Sequence, residues 1–304
     1  VDTRQLSAFC TVVERRSFSQ AAERLGVTQP AVSLQVRALE ERLGRRLLDR
    51  SGRRVEPTEA GWRLYRGAQR LLLAEEQLLA DLEAEEGGQL RGRLSIGAST
   101  GPGGRLVPLL LCEFFRDHPA VETSLVISDT QSVIEQVAAR ELELGVVGAA
   151  GKARGLEFEP LVRDEIVLAV PAGHRFAGRR IAPADLAGET LIEMQEGAGV
   201  RRVVEGELRR RSIRLAPRAR LELGLQESVL SAVAAGHGVG FISRNALEDG
   251  LAAGTVAAAR VEGLEPERQI YLVRSASRLP TRAGESFVEF AHARAASLDR
   301  EQAA

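Results

Sequence analysis

Hydrophobic positions along the first 86 residues recur at steps of three and four, the period of an amphipathic helix. Leu6, Phe9, Val12 and Val13 predict a first helix over about Thr3–Arg15. Ser17, with Gln20 three residues on, has the form of a capping box and opens a second helix that ends near Gly26. Thr28 suits the N-cap of a third helix, because Pro30 falls in the first turn, where no intrahelical N–H bond is lost. That helix is expected to bury Val32, Val36, Leu39 and Leu43 and to stop at Gly44. Leu47–Arg50 and Arg54–Pro57, around Ser51-Gly52-Arg53, read as a small two-stranded wing. Thr58 then caps a long helix to about Glu86. Its apolar positions Leu64, Ala68, Leu71, Leu78 and Leu82, widened by Ala60, Leu72 and Leu79, form a seam of the kind that pairs with another helix. Gly87-Gly88 ends it as a hinge.

From Arg91 the pattern changes to alternating strands and helices, which predicts an α/β domain with a mainly parallel sheet. Strands are expected at Leu94–Ala98, Ser124–Ser128, Leu144–Gly148, Ile166–Pro171, Thr190–Glu193, Arg218–Leu223, Val239–Ser243 and Gln269–Arg274. Helices are expected at Arg105–Phe115, Ser132–Arg140, Val200–Arg210, Glu227–Ala235 and about Arg282–Ser297. So long a stretch exceeds one small sheet. It predicts two lobes linked by strands that cross near residues 161–168 and 265–271. The expected organisation is a head at 1–58, a helix at 59–88, and an α/β body at 89–304 with one lobe at 89–163 and 268–304 and the other at 164–267.

A length of 304 residues agrees with two or three folded units. The formal net charge of −1 does not suggest a nucleic-acid partner, but its distribution does. Residues 1–57 hold eleven arginines against seven acids, whereas residues 58–86 hold three against seven, so a basic head sits on a near-neutral remainder. The positive charge is almost all arginine, Lys152 being the single lysine, and arginine suits phosphate. No apolar run reaches the roughly 18 residues of a membrane span, and no signal-like segment opens the chain, so no membrane partner is expected. Two cysteines without a secretory signal predict a reducing, cytoplasmic compartment. Cys10 and Cys112 form no CxxC and the four histidines are scattered, so neither a metal site nor a cofactor is expected. Cys112 reads as a small buried helix residue.

Within the head, residues 17–44 (SFSQAAERLGVTQPAVSLQVRALEERLG) supply two short helices and a tight turn. Ala21, Ala22 and Leu25 give a small apolar face, Gly26 makes the turn, and Val27 is placed to plug the angle between the helices. Gln29, Ser33 and Arg37 lie four residues apart, opposite the core side of the third helix. Gln29 and Ser33, near its N-terminus, reach base edges or phosphates. Arg37 suits the phosphate backbone, flanked by the wing arginines Arg50, Arg53 and Arg54. An unrelated three-helix domain with a solvated polar face has the same spacing.

The stretch from Leu6 through Gly61, LSAFCTVVERRSFSQAAERLGVTQPAVSLQVRALEERLGRRLLDRSGRRVEPTEAG, resembles the N-terminal domain of the LysR-type transcriptional regulators. The long helix and the α/β remainder follow in that family's order. The resemblance implies a winged helix-turn-helix, a long dimerisation helix and a two-lobed effector domain like the periplasmic binding proteins. It implies double-stranded promoter DNA as partner, homodimers that pair into homotetramers, contact with RNA polymerase, and a small-molecule effector in the cleft between the lobes, with an anion as one class. By the same resemblance the DNA-binding roles fall to Gln29, Pro30, Ser33, Arg37, Arg50 and Arg53.

Three segments of the body are candidates for effector contact. Ser99-Thr100-Gly101 follows a strand and precedes a helix, so its hydroxyls and N–H groups suit an oxyanion or simply cap the helix. Thr130-Gln131 follows the second strand and has the same two readings. The third, QEGAGVRR at 195–202, contributes Gly199, Val200 and Arg201. It resembles the Gly-Ser-Gly-Thr-Arg loop of relatives that control carbon fixation and sulfur assimilation. Ala198 and Val200 stand where those relatives carry hydroxyl residues, which leaves the backbone N–H groups and Arg201 or Arg202 as donors. GHGVGF at 236–241 is no dinucleotide loop, because helix precedes it and strand follows; His237 reads as a turn residue. A solute-binding protein with an extra head and an α/β enzyme are the other readings. The absence of a secretion signal opposes the first. Against the second, the sequence carries no nucleophile elbow, P-loop or metal-ligand spacing.

Overall fold

The computed structural model describes residues 2–50, 55–84, 89–151, 153–276 and 280–303. The chain divides into two compact units, Val1–Gly88 and Gln89–Ala304.

The first unit contains α1 (Thr3–Arg15), α2 (Phe18–Leu25), α3 (Gln29–Leu43), β1 (Leu48–Asp49), β2 (Glu56–Pro57) and α4 (Glu59–Ala84). Phe9, Val12, Ala21, Ala22, Val32, Val36, Leu39, Leu47 and Ala68 form one core. Ser17 makes half of the expected capping box, its Oγ accepting the Gln20 N–H at 3.4 Å, whereas both halves form at Asp2 and Gln5. Gly26 takes φ +66° and its N–H returns to the carbonyls of Ala22 and Glu23, which turns the chain sharply into α3. Two expectations for this core do not hold. Val27 is exposed, because the two alanines let the helices close directly and leave no gap to plug. Leu43 faces a surface groove beside Arg45, Arg46 and Arg63 instead of the core.

The seam of α4 divides between two tasks. Leu64, Tyr65, Ala68 and Leu72 pack into the unit's own core, whereas Leu71, Leu78 and Leu79 stay exposed, each more than half open. The Leu82 side chain, the expected helix end at Glu86, the Gly87-Gly88 hinge and the wing residues Arg53 and Arg54 lie outside the described residues.

The second unit runs β3 (Gly92–Ser99), α5 (Thr100–Gly104), α6 (Leu106–Asp117), β4 (Val121–Ser128), α7 (Thr130–Ala138), β5 (Leu144–Val147), β6 (Leu156–Pro171), β7 (Arg180–Ile181), a 3-10 turn at Pro183–Gly188 and β8 (Thr190–Met194). It continues with α8 (Gly199–Arg211), β9 (Ala219–Leu223), α9 (Gln226–Ala234), β10 (Gly240–Ser243), α10 (Arg244–Ala252), β11 (Val256–Val261), β12 (Glu267–Ser275) and α11 (Arg282–Ala303). In lobe I, Leu94, Ile96 and Ala98 of β3 meet α6 and α11 in one core, while Val133, Ile134 and Val137 of α7 join Val147 and Val273 in another. Lobe II has its own core, from Ile166 to Val170 with Leu191, Ile192, Val229, Val233, Val239 and Leu247. Cys112 is exposed, not buried, because α6 turns its Leu106, Val107, Leu110 and Phe114 stripe inward; Cys10 is the buried cysteine. Burial, and then Glu14, push the Cys10 thiol up to about 12.

β6 belongs to both lobes. Its 16 residues span roughly 50 Å at about 3.3 Å each, more than one small sheet can pair. Residues Leu156–Glu165 pair antiparallel with β12, and Ile166–Pro171 pair antiparallel with β10 and β11. Sheet pairing is therefore mixed: β3 with β4 and β5, and β8 with β9, are parallel, but the crossing strands run antiparallel to their neighbours. A second link between the lobes is the ion pair of Arg105 with Asp249 on α10 at 2.9 Å. Its guanidinium holds the Asp249 carboxyl below the usual aspartate range.

The tightest approach in the first unit is at Gly61, where an added Cβ would fall 2.1 Å from the Leu47 carbonyl oxygen. That oxygen also accepts the Thr58 N–H at 2.9 Å, so it has little freedom to move away. Gly61→Ala is expected to cost about 1–3 kcal/mol, read as a lower urea midpoint in the fluorescence of Trp62. An unchanged midpoint would show that the wing base is not seated against α4 as described.

Candidate functional site

Helix α3 has one fully buried edge, Val32, Val36 and Leu39, and an outer face that carries the sequence-predicted residues. Gln29, Pro30 and Arg37 are exposed there and Ser33 is half-buried at its margin. Thr28 makes no side-chain cap bond on the helix N-terminus. The Arg37 Nε donates to Glu41 Oε1 at 2.9 Å, but both side chains are mostly exposed, so the pair is weak and most of the guanidinium stays open to solvent. Arg50 is held more firmly, between Glu40 Oε2 at 3.1 Å and the face of the Phe18 ring at 4.8 Å. Glu40 also accepts the N–H groups of Leu47 and Leu48 at 2.8 and 3.2 Å, which fixes the wing's base to α3. The pattern missed Leu34, 69% exposed on this outer face. Its signal was an apolar residue two places from the buried Val32, off the inward stripe.

In the second unit a cleft of about 460 Å³ opens between the lobes. Lobe I lines it with Thr100, Gly101, Thr130, Gln131 and the segment 149–151; lobe II adds 194–200, Arg202, Gly224 and Gln226. Six of the eight predicted residues therefore meet: Thr100, Gly101, Thr130, Gln131, Gly199 and Val200. Ser99 does not line the cavity. It is buried, with its Oγ accepting the Gly148 N–H at 3.1 Å, and so joins the ends of β3 and β5. Arg201 turns away, bonded to Glu205 at 2.9 Å, the Met194 carbonyl at 2.8 Å and Glu222 at 2.6 Å, and these bonds, Glu222 first, push its pKa up. Arg202 is the arginine of that loop that reaches the cleft. His237 is exposed in its turn and does not line it.

Sequence reasoning missed Arg268 altogether. It lies on β12 directly opposite Asp164 of β6, and its Nε donates to Asp164 Oδ2 at 2.8 Å. Asp164 is fully buried; it also accepts from the Ser243 hydroxyl and from Asn245 Nδ2. The rest of the guanidinium enters the cleft between three glycines, for a Cβ at Gly101, Gly148 or Gly199 would come within 2.8, 2.9 and 2.9 Å of its Nη atoms.

Comparison with known proteins places both units. Residues 3–62 match the model of the bacterial regulatory helix-turn-helix protein, lysR family, and residues 87–296 match that of the LysR substrate binding domain. The chain belongs to the LysR family. It is 32% identical over 277 residues to a probable RuBisCO transcriptional regulator of Thalassiosira pseudonana, covering 88% of this chain and 90% of that protein. It is 29% identical over 284 residues to the HTH-type transcriptional regulator CysL of Bacillus subtilis (strain 168), covering 93% and 94%. Among solved structures, full-length CbnR complexed with its target DNA superposes with a TM-score of 0.69 at 26% identity, over 96% of this chain and 99% of that one. This LysR-type chain is thus a DNA-binding transcriptional regulator with an effector-binding domain, and its relatives are named as regulators, not enzymes. Among the described residues no helix is long and apolar enough to cross a membrane.

In the LysR chain four of the described helices, α5, α7, α8 and α9, begin at the cleft, and they are capped differently. At α7 the Asp129 carboxylate accepts the Ser132 N–H at 2.9 Å and its hydroxyl at 2.5 Å, which hold the Asp129 pKa below its usual value. Ala198 before α8 and Leu225 before α9 supply no side-chain acceptor. Because the folded-state pKa of Asp129 is lowered, its stabilisation is present above the ordinary value of 3.8 and disappears as pH falls through the folded value. Asp129→Ala is expected to lower stability by about 1 kcal/mol or less at neutral pH, the site being exposed and screened. The gap to wild type should close in acid. A gap that persists unchanged at pH 3 in thermal melts would argue against the carboxylate as its source.

Proposed function

We propose that this LysR-type regulator reads its operator through the outer face of α3 and is controlled by a small molecule bound in the interlobe cleft. The observation that carries the second part is the cleft itself. It is about 460 Å³, within the range of small-molecule sites, and lies beside the strands shared by the lobes. An effector there changes regulation through different affinity for two arrangements of the lobes. Gln29 and Ser33 are assigned to base edges, Leu34 to apolar contact such as a thymine methyl, and Pro30 to close approach in the first turn. Arg37, Arg50 and Arg53 are assigned to phosphates, with Arg50 kept in place by Glu40 and Phe18. The exposed Leu71, Leu78 and Leu79 of α4 support a homodimer through this helix, with pairing of dimers as the next level. A regulator of this kind works in the cytoplasm.

The direct test is selection of genomic fragments by the purified protein at physiological salt, in which a recurring imperfect palindrome is the expected result. Binding without sequence preference would refute operator reading. Arg37→Ala is expected to weaken binding to every sequence and to reduce the salt slope by about one; an unchanged slope removes the phosphate assignment. Ser33→Ala and Leu34→Ala should instead alter which bases are preferred. Leu71→Glu combined with Leu78→Glu is expected to yield monomers in sedimentation, and a persisting dimer would place the interface elsewhere.

A further inference from the structure

We infer that the effector carries an oxyanion (a carboxylate, phosphate or sulfate) and that this group is held between Arg268 and Gln226; the inference rests on the cleft's being the effector site. Two buried donors that line this cavity lack acceptors among the described residues. Arg268 has a side chain only 6% exposed. One edge of its guanidinium is used by Asp164, yet its Nη2 is buried without a partner. Gln226 is 4% exposed. Its Oε1 accepts the Ser243 N–H at 3.4 Å, which orients the amide and leaves Nε2 buried without a partner. A buried N–H without an acceptor is costly, the more so when it is cationic as on Arg268, so two buried donors facing one cavity call for a ligand that brings acceptors.

The surroundings agree in sign. Helix α8 has 13 residues, and its first N–H groups meet no side-chain oxygen from Ala198. They open at Gly199, whose Cβ position is 2.9 Å from Arg268 Nη1, so the helix N-terminus and the guanidinium point at one place. The other charged groups of the cleft are Asp129, Glu196 and Arg202. The Asp129 carboxylate is committed to Ser132 at α7, which directs an anion to the Arg268 end and leaves the Thr100 and Thr130 side for a polar remainder of the molecule. A cavity of this volume exceeds a bare phosphate and fits a compact metabolite bearing one. Asp164 does not compete for the free edge of Arg268, since Ser243 and Asn245 already supply its remaining hydrogen bonds.

The test uses the full chain at constant ionic strength. Inorganic phosphate, sulfate, and panels of two- to six-carbon carboxylates and phosphate esters are titrated by calorimetry and thermal melts, against neutral polyols of the same sizes. Saturable binding by anionic members is expected, and the carboxylate and phosphoryl arms identify the head group. Gln226→Glu is expected to weaken that binding about tenfold or more, since it replaces a donor by a like charge. Arg268→Lys should do the same, keeping a cation beside Asp164 but losing the planar fork. Gln226→Glu leaves the Asp164–Arg268 pair intact and keeps the test open if Arg268→Lys does not fold. Arg179→Gln, a change at an exposed arginine outside the cleft, should bind as wild type does. Anions that bind both cleft variants as tightly as wild type overturn the inference. So does a neutral polyol that saturates the cleft where anions do not, although the effector reading then stands. If neither class binds the wild-type chain, both readings fall.

Discussion

A carboxylate without solvent contact and the guanidinium set opposite it hold the second unit to its architecture. Asp164 and Arg268 are cross-strand partners on β6 and β12, at the point where both strands pass from one lobe to the other. Burying such a pair is expensive, and removing either partner typically costs about 3–5 kcal/mol because the other charge is stranded. The surrounding structure reflects that demand. Ser243 at the end of β10 and Asn245 at the start of α10 both donate to Asp164, so lobe II is fastened to the crossing. On the other side the guanidinium needs room among backbone segments, and Gly101 at the start of α5, Gly148 after β5 and Gly199 at the start of α8 provide it. A one-residue slip of β12 against β6 would turn Arg268 to the opposite face and leave Asp164 without a counter-charge. The register, the glycines and the position of the cleft thus follow from one interaction.

The first unit depends on a different carboxylate. Glu40 on α3 accepts two N–H groups at the wing's base and an Arg50 N–H, so the base of the wing is tied to this helix. Thr58 completes the arrangement: its N–H goes to the Leu47 carbonyl and its hydroxyl accepts the Gly61 N–H at the start of α4. In this way a helix that exposes Gln29, Leu34 and Arg37 is rigidly placed with respect to a second basic element. The division of α4 has the same logic. Its first turns complete the core of the head, and only the later turns, with Leu71, Leu78 and Leu79, remain for a partner.

Local pattern made most of the helices legible, along with the head as a whole, because α1, α2 and α3 are amphipathic, Asp2 and Ser17 cap the first two, and Gly26 and Gly44 at positive φ end the second and third. β5 and the second half of β3 were legible for the reason that they are buried on both faces and read as apolar runs. The first five residues of β6 were not. LEFEP looks like a loop, with two charges and a proline, yet Glu157 and Glu159 meet Arg274 of β12, and Pro160 sits where the register slips between Ile270 and Tyr271. β11 was hidden by its alanines, and α10 by its polar face.

The same limit explains which parts of the cleft could be read. Thr100, Gly101, Thr130, Gln131, Gly199 and Val200 sit where strands end and helices begin, a local feature, and they line the cavity. Arg268 is separated from Asp164 by 104 residues and from the loop at 199 by most of lobe II, so no window of sequence contains its reason for being there. Replacement of a hydroxyl residue by Ala198 counted, in local terms, as loss of a donor. In three dimensions it has the opposite sense. A hydroxyl at that position would cap α8 and satisfy its N–H groups internally, as Asp129 does for α7, whereas alanine leaves them facing the unpartnered edge of Arg268. The chemistry of this site is therefore set by what the helix termini lack as much as by the side chains present, and only the long-range pairing on the crossing strands brings the positive charge that gives that lack a use.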